Sequence, residues 1–191
     1  MPDDDRTRWN ERYREEIVLA APSPFLSGLD AFLPRHGRAL DVAGGSGRHA
    51  LWLARRGLDV TLVDVSDVAL ERAARAAAAE RLPLATIRVD LARDPLPPGA
   101  WDLIVCIAFL HRPLFGAFPR ALAPGGLLVF EHPTRSNLLR FPRPGRRHLL
   151  EDHELPRLVV GLEILRYEEG WLDRGRHDAR LVARRPAPAG A

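Results

Sequence analysis

Lysine is absent from this 191-residue chain, so all 28 of its basic side chains are arginine, and there is one cysteine and one methionine. A lone Cys106 excludes an internal disulfide and a cysteine-cluster metal site, so the fold needs no oxidising compartment. No stretch approaches the ~18 to 20 uninterrupted apolar residues of a membrane helix. The first residues, Met1-Pro2-Asp3-Asp4-Asp5, are acidic where a secretory leader is basic, and no apolar segment follows them. A cytoplasmic location is expected, with no membrane association. The formal net charge is only +3, a weak field for steering polyanions. Arginine in place of lysine, with abundant Ala, Gly and Pro, points to a GC-rich bacterial genome more than to a nucleic-acid partner.

What is present is a globular composition, 46% hydrophobic, and a length that favours one domain. Charged residues 5 to 20 carry Trp9, Tyr13, Ile17 and Leu19 on one stripe, which predicts an amphipathic leading helix packed as a flap. A second helix is predicted from Pro24 to Leu33. Strand-like runs follow at 38 to 43, 58 to 63, 84 to 89, 101 to 107 and 126 to 131, mostly continuous rather than alternating, as in strands covered on both faces. Helices are expected between them at 47 to 56, at 67 to 81 behind Ser66 as N-cap, and at 113 to 122. This order predicts a doubly wound α/β layer with a mostly parallel sheet. After a proline- and arginine-rich connection at 133 to 148, a helix is expected near 152 to 160. Two strands at 162 to 169 and 178 to 184 then form an antiparallel hairpin. The division expected is an N-terminal helical flap (1 to 35), a cofactor-binding core (36 to 132) and a substrate-side region (133 to 185).

Asp41-Val42-Ala43-Gly44-Gly45-Ser46-Gly47 lies between a strand and a helix, where glycines let a ligand approach backbone N–H groups. An adenosine-containing cofactor is implied. Gly45-Ser46-Gly47-Arg48-His49-Ala50 also satisfies a dinucleotide pattern, with Asp64 about 20 residues on, so the turn alone does not decide. Asp41 does more. A buried carboxylate there needs a partner, and the cationic amino group of a methionine moiety supplies one where a pyrophosphate would be repelled. Asp64, at the tip of the second strand, can accept both ribose hydroxyls. Asp90 closes the third strand, where an adenine amine would lie.

The segment Leu40 to Leu51 resembles motif I of the class I S-adenosylmethionine-dependent methyltransferases. Asp64, Asp90, the strand Trp101 to Cys106 and the turn Leu122 to Leu128 fall at that family's spacing, over roughly residues 36 to 132. Trp9-Asn10-Glu11-Arg12-Tyr13 resembles the N-terminal segment of the small bacterial tellurite-resistance and thiopurine-like branch. Ala43 departs from the motif, which has glycine there. The resemblance implies a seven-stranded sheet whose last strand is antiparallel, and S-adenosylmethionine as cofactor. Contacts to it are expected from Trp9, Tyr13, Asp41, Ala43, Gly44, Gly45, Gly47, Arg48, Asp64, Val65, Asp90, Leu91 and Ile107.

The acceptor should lie beyond strands four and five, near Phe109, His111, Arg112, Glu131 and His132. His111, Glu131 and His132 are the candidates for a general base, and no metal ligand set is read. The Asn/Asp-Pro-Pro-Tyr run that holds an amino nucleophile in adenine and glutamine methyltransferases is absent. A small-molecule acceptor is therefore expected. The alternatives are a nicotinamide-dependent oxidoreductase, a catalytically silent S-adenosylmethionine-binding module, and an RNA methyltransferase using the arginines at 135 to 147. Monomer and homodimer both remain open.

Overall fold

A computed structural model of the chain describes residues 3–15, 19–172 and 175–187. Seven strands form one sheet: β1 (Arg38–Val42), β2 (Asp59–Asp64), β3 (Leu84–Arg88), β4 (Trp101–Ile107), β5 (Leu122–Pro133), β6 (Glu163–Trp171) and β7 (His177–Arg184). Their order is β3-β2-β1-β4-β5-β7-β6. The first five are parallel, and β7 runs antiparallel to both β5 and β6. The order reverses between β1 and β4, which opens a crevice at their carboxyl ends.

The apolar runs in β1, β2 and β4 are continuous because helices cover both faces. On one face α2 (Pro24–Gly28), α3 (Arg48–Arg55) and α4 (Asp67–Glu80) bring Leu26, Leu53 and Ala73 against Val60, Leu62 and Val105. On the other, α5 (Phe118–Ala121) and α6 (Leu155–Leu158) bring Phe118 and Leu155 to a core that includes Trp101 and Phe130. Each fully buried leucine here is worth about 1.5 to 3 kcal/mol of transfer free energy. Among the described residues, no helix is long and apolar enough to cross a membrane.

Several expected elements change in extent. The leading helix, α1, spans Asp3–Glu15. It keeps Trp9 and Tyr13 on its stripe, while Ile17 lies outside the described residues. The second helix stops at Gly28 rather than Leu33. The helix expected at 113 to 122 is two pieces, a 3-10 turn over Arg112–Gly116 and α5. Pro113 and Pro119 each lack an N–H, and each sits in the first turn of its own piece, where that donor is not needed. The helix expected near 152 to 160 is the single turn α6, and Gly161 follows with a φ of 85°. β5 begins earlier than expected because an irregularity opposite Trp101 and Leu103 keeps the Pro124-Gly125-Gly126 turn within the strand. Ser66 does cap α4, its Oγ accepting from the Ala69 N–H at 3.2 Å.

Candidate functional site

The chain leaves β1 through a turn that L-residues rarely adopt. Ala43 has a φ of 52°, Gly45 of 58° and Gly47 of 83°. Gly44 is required by crowding, because a Cβ there would collide with the Asp41 carboxylate and Leu62. At Gly45 a Cβ would strike the Tyr13 hydroxyl. The turn therefore presses against β1 and β2 below and against α1 above.

Asp41 is fully buried beneath it. Its Oδ2 accepts from the Ala50 N–H at 3.0 Å, at the first turn of α3. Its Oδ1 has no hydrogen-bond partner among the described residues, and the His49 Nδ1 lies 3.9 Å away. Burial pushes the Asp41 carboxyl up to about 7, against the Ala50 N–H and the Arg48 charge, which favour the ionised form.

Asp64 receives the Gly45 N–H on Oδ2 and the Ser66 N–H on Oδ1, both at 2.9 Å. Burial raises this carboxyl too, opposed by N–H donors from Ser66, Gly45 and Val65. Asp90 accepts from the Ala92 N–H at 3.1 Å and pairs with Arg93 at 3.3 Å.

These elements enclose a cleft of about 620 Å³, within the usual range for a small-molecule site. Of the residues expected to hold the cofactor, Trp9, Tyr13, Ala43, Gly44, Arg48, Asp64, Val65, Asp90, Leu91 and Ile107 line it. Gly45 and Gly47 complete the turn, and Asp41 supports it from below without reaching the cleft wall. An adenosyl group fits this wall: close-packed glycines expose backbone, the strand-tip carboxylates Asp64 and Asp90 are among the acids that line the cleft, and an Asp41 oxygen with no partner among the described residues lies beneath.

α1 closes the cleft from above. Its Trp9 and Tyr13 rings stack at 5.8 Å and Arg12 lies 5.0 Å over Trp9. Polar ties to α4 hold it: Arg6 to Asp67 at 2.6 Å, Ser66 Oγ–H to Asn10 Oδ1 at 2.6 Å, and Arg72 to the Tyr13 carbonyl. The part of Asn10 in this lid was not assigned from sequence, because an amide on a charged helix carries no signal of what it will meet.

The base candidates are placed elsewhere. Among the five residues expected near the acceptor, Phe109 alone lines the cleft. Arg112 is committed to Glu154 at 2.6 Å. His111 precedes the 3-10 turn, outside the cleft wall. Glu131 is buried and takes the Ser23 hydroxyl and the Arg180 Nε, the latter at 3.0 Å. Glu131 is not among the residues that line the cleft. His132 donates Nε2–H to the His148 carbonyl at 2.8 Å, while its buried Nδ1 has no partner among the described residues. Burial lowers its pKa to about 4, so the ring is neutral. Buried Cys106 is a poor nucleophile, since burial pushes its thiol far up. Arg176 and Ala20, neither singled out from sequence, also line the cleft, as does Leu19 of the expected apolar stripe. Arg176 arrives from the turn between β6 and β7, and a hairpin arginine gives no hint in sequence of the wall it joins.

Residues 39–126 match the model of a methyltransferase domain. That stretch, just under half of the chain, is similar to the family. A protein of Bacillus subtilis described as the putative methyltransferase YqeM is 28% identical over 127 residues, 61% of this chain and 51% of that protein. An S-adenosyl-L-methionine-dependent Diels-Alderase of Talaromyces variabilis, iccD, is 34% identical over 147 residues, 72% of this chain and 47% of that protein. The chain thus spans about half the length of these curated relatives. TehB from Haemophilus influenzae superposes with a TM-score of 0.73 at 21% identity, covering 94% of this chain and 66% of TehB. At that identity the likeness is one of fold. The match ends at β5's turn, so β6, β7 and the loops before them lie beyond it.

Proposed function

We propose that the chain is an S-adenosylmethionine-dependent methyltransferase acting on a small molecule. The observation that carries this reading is the trio Asp41, Asp64 and Asp90 on successive strand tips around one glycine turn, with Asp64 and Asp90 on the cleft wall. In this reading Asp64 accepts the ribose hydroxyls, using lone pairs its two backbone donors leave. Asp90 lies beside the adenine, and Asp41 balances the methionine ammonium across the turn. Trp9 and Tyr13 cover the cofactor. The chain's flap, core and substrate-side region divide as residues 1 to 35, 36 to 132 and 133 to 185. A cytoplasmic, bacterial origin suits the composition.

The bound cofactor supplies a methyl group on a sulfonium, and the protein's task is to exclude water and align the acceptor with it. Ile107, Ala108, Phe109, Leu19 and Ala20 give the acceptor end an apolar wall, with Arg176 its cation. None of His111, Glu131 and His132 reaches that wall, so catalysis by positioning and desolvation is favoured over a dedicated base. Nucleic acid is not favoured as substrate. Arg135 is paired with Glu151 at 2.8 Å and Arg140 lies 3.8 Å over the Trp171 ring, so the connection after β5 is partly self-engaged.

The test is a titration. S-adenosylmethionine or S-adenosylhomocysteine at ~100 times its dissociation constant should add about 2.7 kcal/mol of stability, whereas NAD and NADP should leave the melting temperature unchanged. A shift with NAD alone overturns the assignment. The apolar acceptor wall also suits a second reading, in which the cofactor is bound but not consumed, as the name of the Talaromyces relative invites. Release of S-adenosylhomocysteine with an accepted substrate separates the two.

A further inference from the structure

Outside the cleft, three side chains from distant parts of the sequence converge. Asp152 precedes α6, Glu169 lies near the end of β6, and His177 opens β7. One ligand atom from each lies within 4.8 Å of the others.

Their pairing differs from that of the other acids nearby. Glu131 and Asp178 each have an arginine partner, as do Glu154, Glu163 and Glu168. Among the described residues neither Asp152 nor Glu169 has one, and the ion-pair partner of Glu169 is His153, at 3.5 Å. Yet the Glu169 side chain is only 2% exposed. The Glu169 side chain is thus buried while Asp152 is exposed, and a cation held between the two would offset both negative charges.

Neutral donors hold each member in place. Ser136 Oγ–H donates to Asp152 Oδ2 at 2.5 Å, and the Tyr167 hydroxyl donates to Glu169 Oε2 at 2.5 Å. Thr134 Oγ1 bonds the His177 Nδ1 at 2.7 Å. Outer partners of this kind fix the orientation of metal-ligating carboxylates and imidazoles. They leave the carboxylate charges in place. The His153 ring, 79% exposed, pairs with Glu169 from outside the trio.

We infer that Asp152, Glu169 and His177 form a site for one divalent cation of the Mn²⁺ or Zn²⁺ type. Two carboxylates with an imidazole suit such ions better than Ca²⁺ or Mg²⁺, which favour all-oxygen shells. The ion would join the loop after β5 to the β6–β7 hairpin. That hairpin carries Arg176, the neighbour of His177, into the cleft wall, so the site would brace the cleft from behind. It neither requires nor implies the methyltransferase reading.

The experiment uses the full chain, stripped with a chelator and dialysed, and titrated calorimetrically with MnCl₂, ZnCl₂ and MgCl₂ at pH 7.5. One equivalent of Mn²⁺ or Zn²⁺ should bind, with Mg²⁺ markedly weaker, and the melting temperature should rise with the bound ion. Asp152→Asn, at an exposed position, should bind at least about tenfold more weakly, and Tyr167→Phe, which removes only an outer contact, roughly tenfold. Glu151→Gln, an acid next in sequence but outside the cluster, should bind like the unaltered protein. Absence of binding up to ~1 mM metal, a value well above those of dedicated sites, overturns the inference. So does binding that Asp152→Asn leaves unchanged. S-adenosylhomocysteine binding, measured on the same samples, reports separately on the cleft.

Discussion

Replacing Asp41 by Asn isolates the cost of one buried charge. The carboxyl is fully buried and its pKa is pushed from 3.8 to about 7. A carboxyl whose folded pKa is raised contributes stability that is present at low pH and is lost as pH rises from the unfolded value through the folded one. Asn keeps the oxygen that accepts the Ala50 N–H and has no charge to desolvate. The stability of Asp41→Asn minus that of the unaltered protein should therefore grow by about 2 kcal/mol between pH 5.5 and pH 8.5, since each pKa unit is worth 1.36 kcal/mol. Only this difference is diagnostic. His132, whose pKa falls to about 4, destabilises the fold as pH drops below its unfolded value near 6.5, and so masks the Asp41 trend in the unaltered protein alone. Urea unfolding of both proteins at the two pH values provides the numbers. A difference that stays constant with pH would mean that Asp41 is ionised throughout, and the desolvation argument would fail. On the functional reading, the same variant should bind S-adenosylmethionine more weakly, because the charge facing the ammonium is gone.

Asp64→Asn should weaken S-adenosylmethionine roughly 10- to 150-fold, the equivalent of about 1.5 to 3 kcal/mol. It should also cost roughly 1 to 3 kcal/mol of stability, because Asn has one oxygen for the Gly45 and Ser66 N–H groups that now share two. Calorimetry and urea unfolding measure the two effects, and an unchanged dissociation constant removes Asp64 from the site. Glu131→Gln breaks a buried pair and should destabilise by about 3 kcal/mol, the low end because Arg180 keeps Glu168 at 3.4 Å. S-adenosylhomocysteine affinity should be unaffected. A stable Glu131→Gln protein that had lost only methyl transfer would restore Glu131 as a catalytic residue.

The sheet could be read from the chain because its signals are local. Continuous apolar runs ended at glycine and proline, Ser66 preceded an alanine-rich helix, and the short link between the last two strands required them to be antiparallel. The short helices were overextended, since hydrophobic periodicity continues past Gly28 and through Pro119 while the backbone does not. The strand-tip part of the cleft wall was legible for the same reason: topology brings Asp64, Asp90 and Ile107 together whatever their side chains do. The side expected to hold the acceptor was not. Glu131 and His132 occupy the expected strand end, but alternation along β5 turns one to Arg180 and the other to the His148 carbonyl, and sequence does not reveal those partners. Arg176, and the cluster of Asp152, Glu169 and His177, depend on a hairpin and a loop meeting in space.

The junction between β2 and α4 has one more consequence. Within four residues, Asp64 grips the glycine turn, Ser66 caps α4 and holds Asn10, and Asp67 holds Arg6 of α1. Grip, cap and lid thus share a single fulcrum. A substitution at any of these positions should disturb the neighbouring contacts as well, so a weakened affinity in a single variant there does not by itself assign the role. Only cycles pairing Asp64 or Ser66 with Asn10 can apportion the effect.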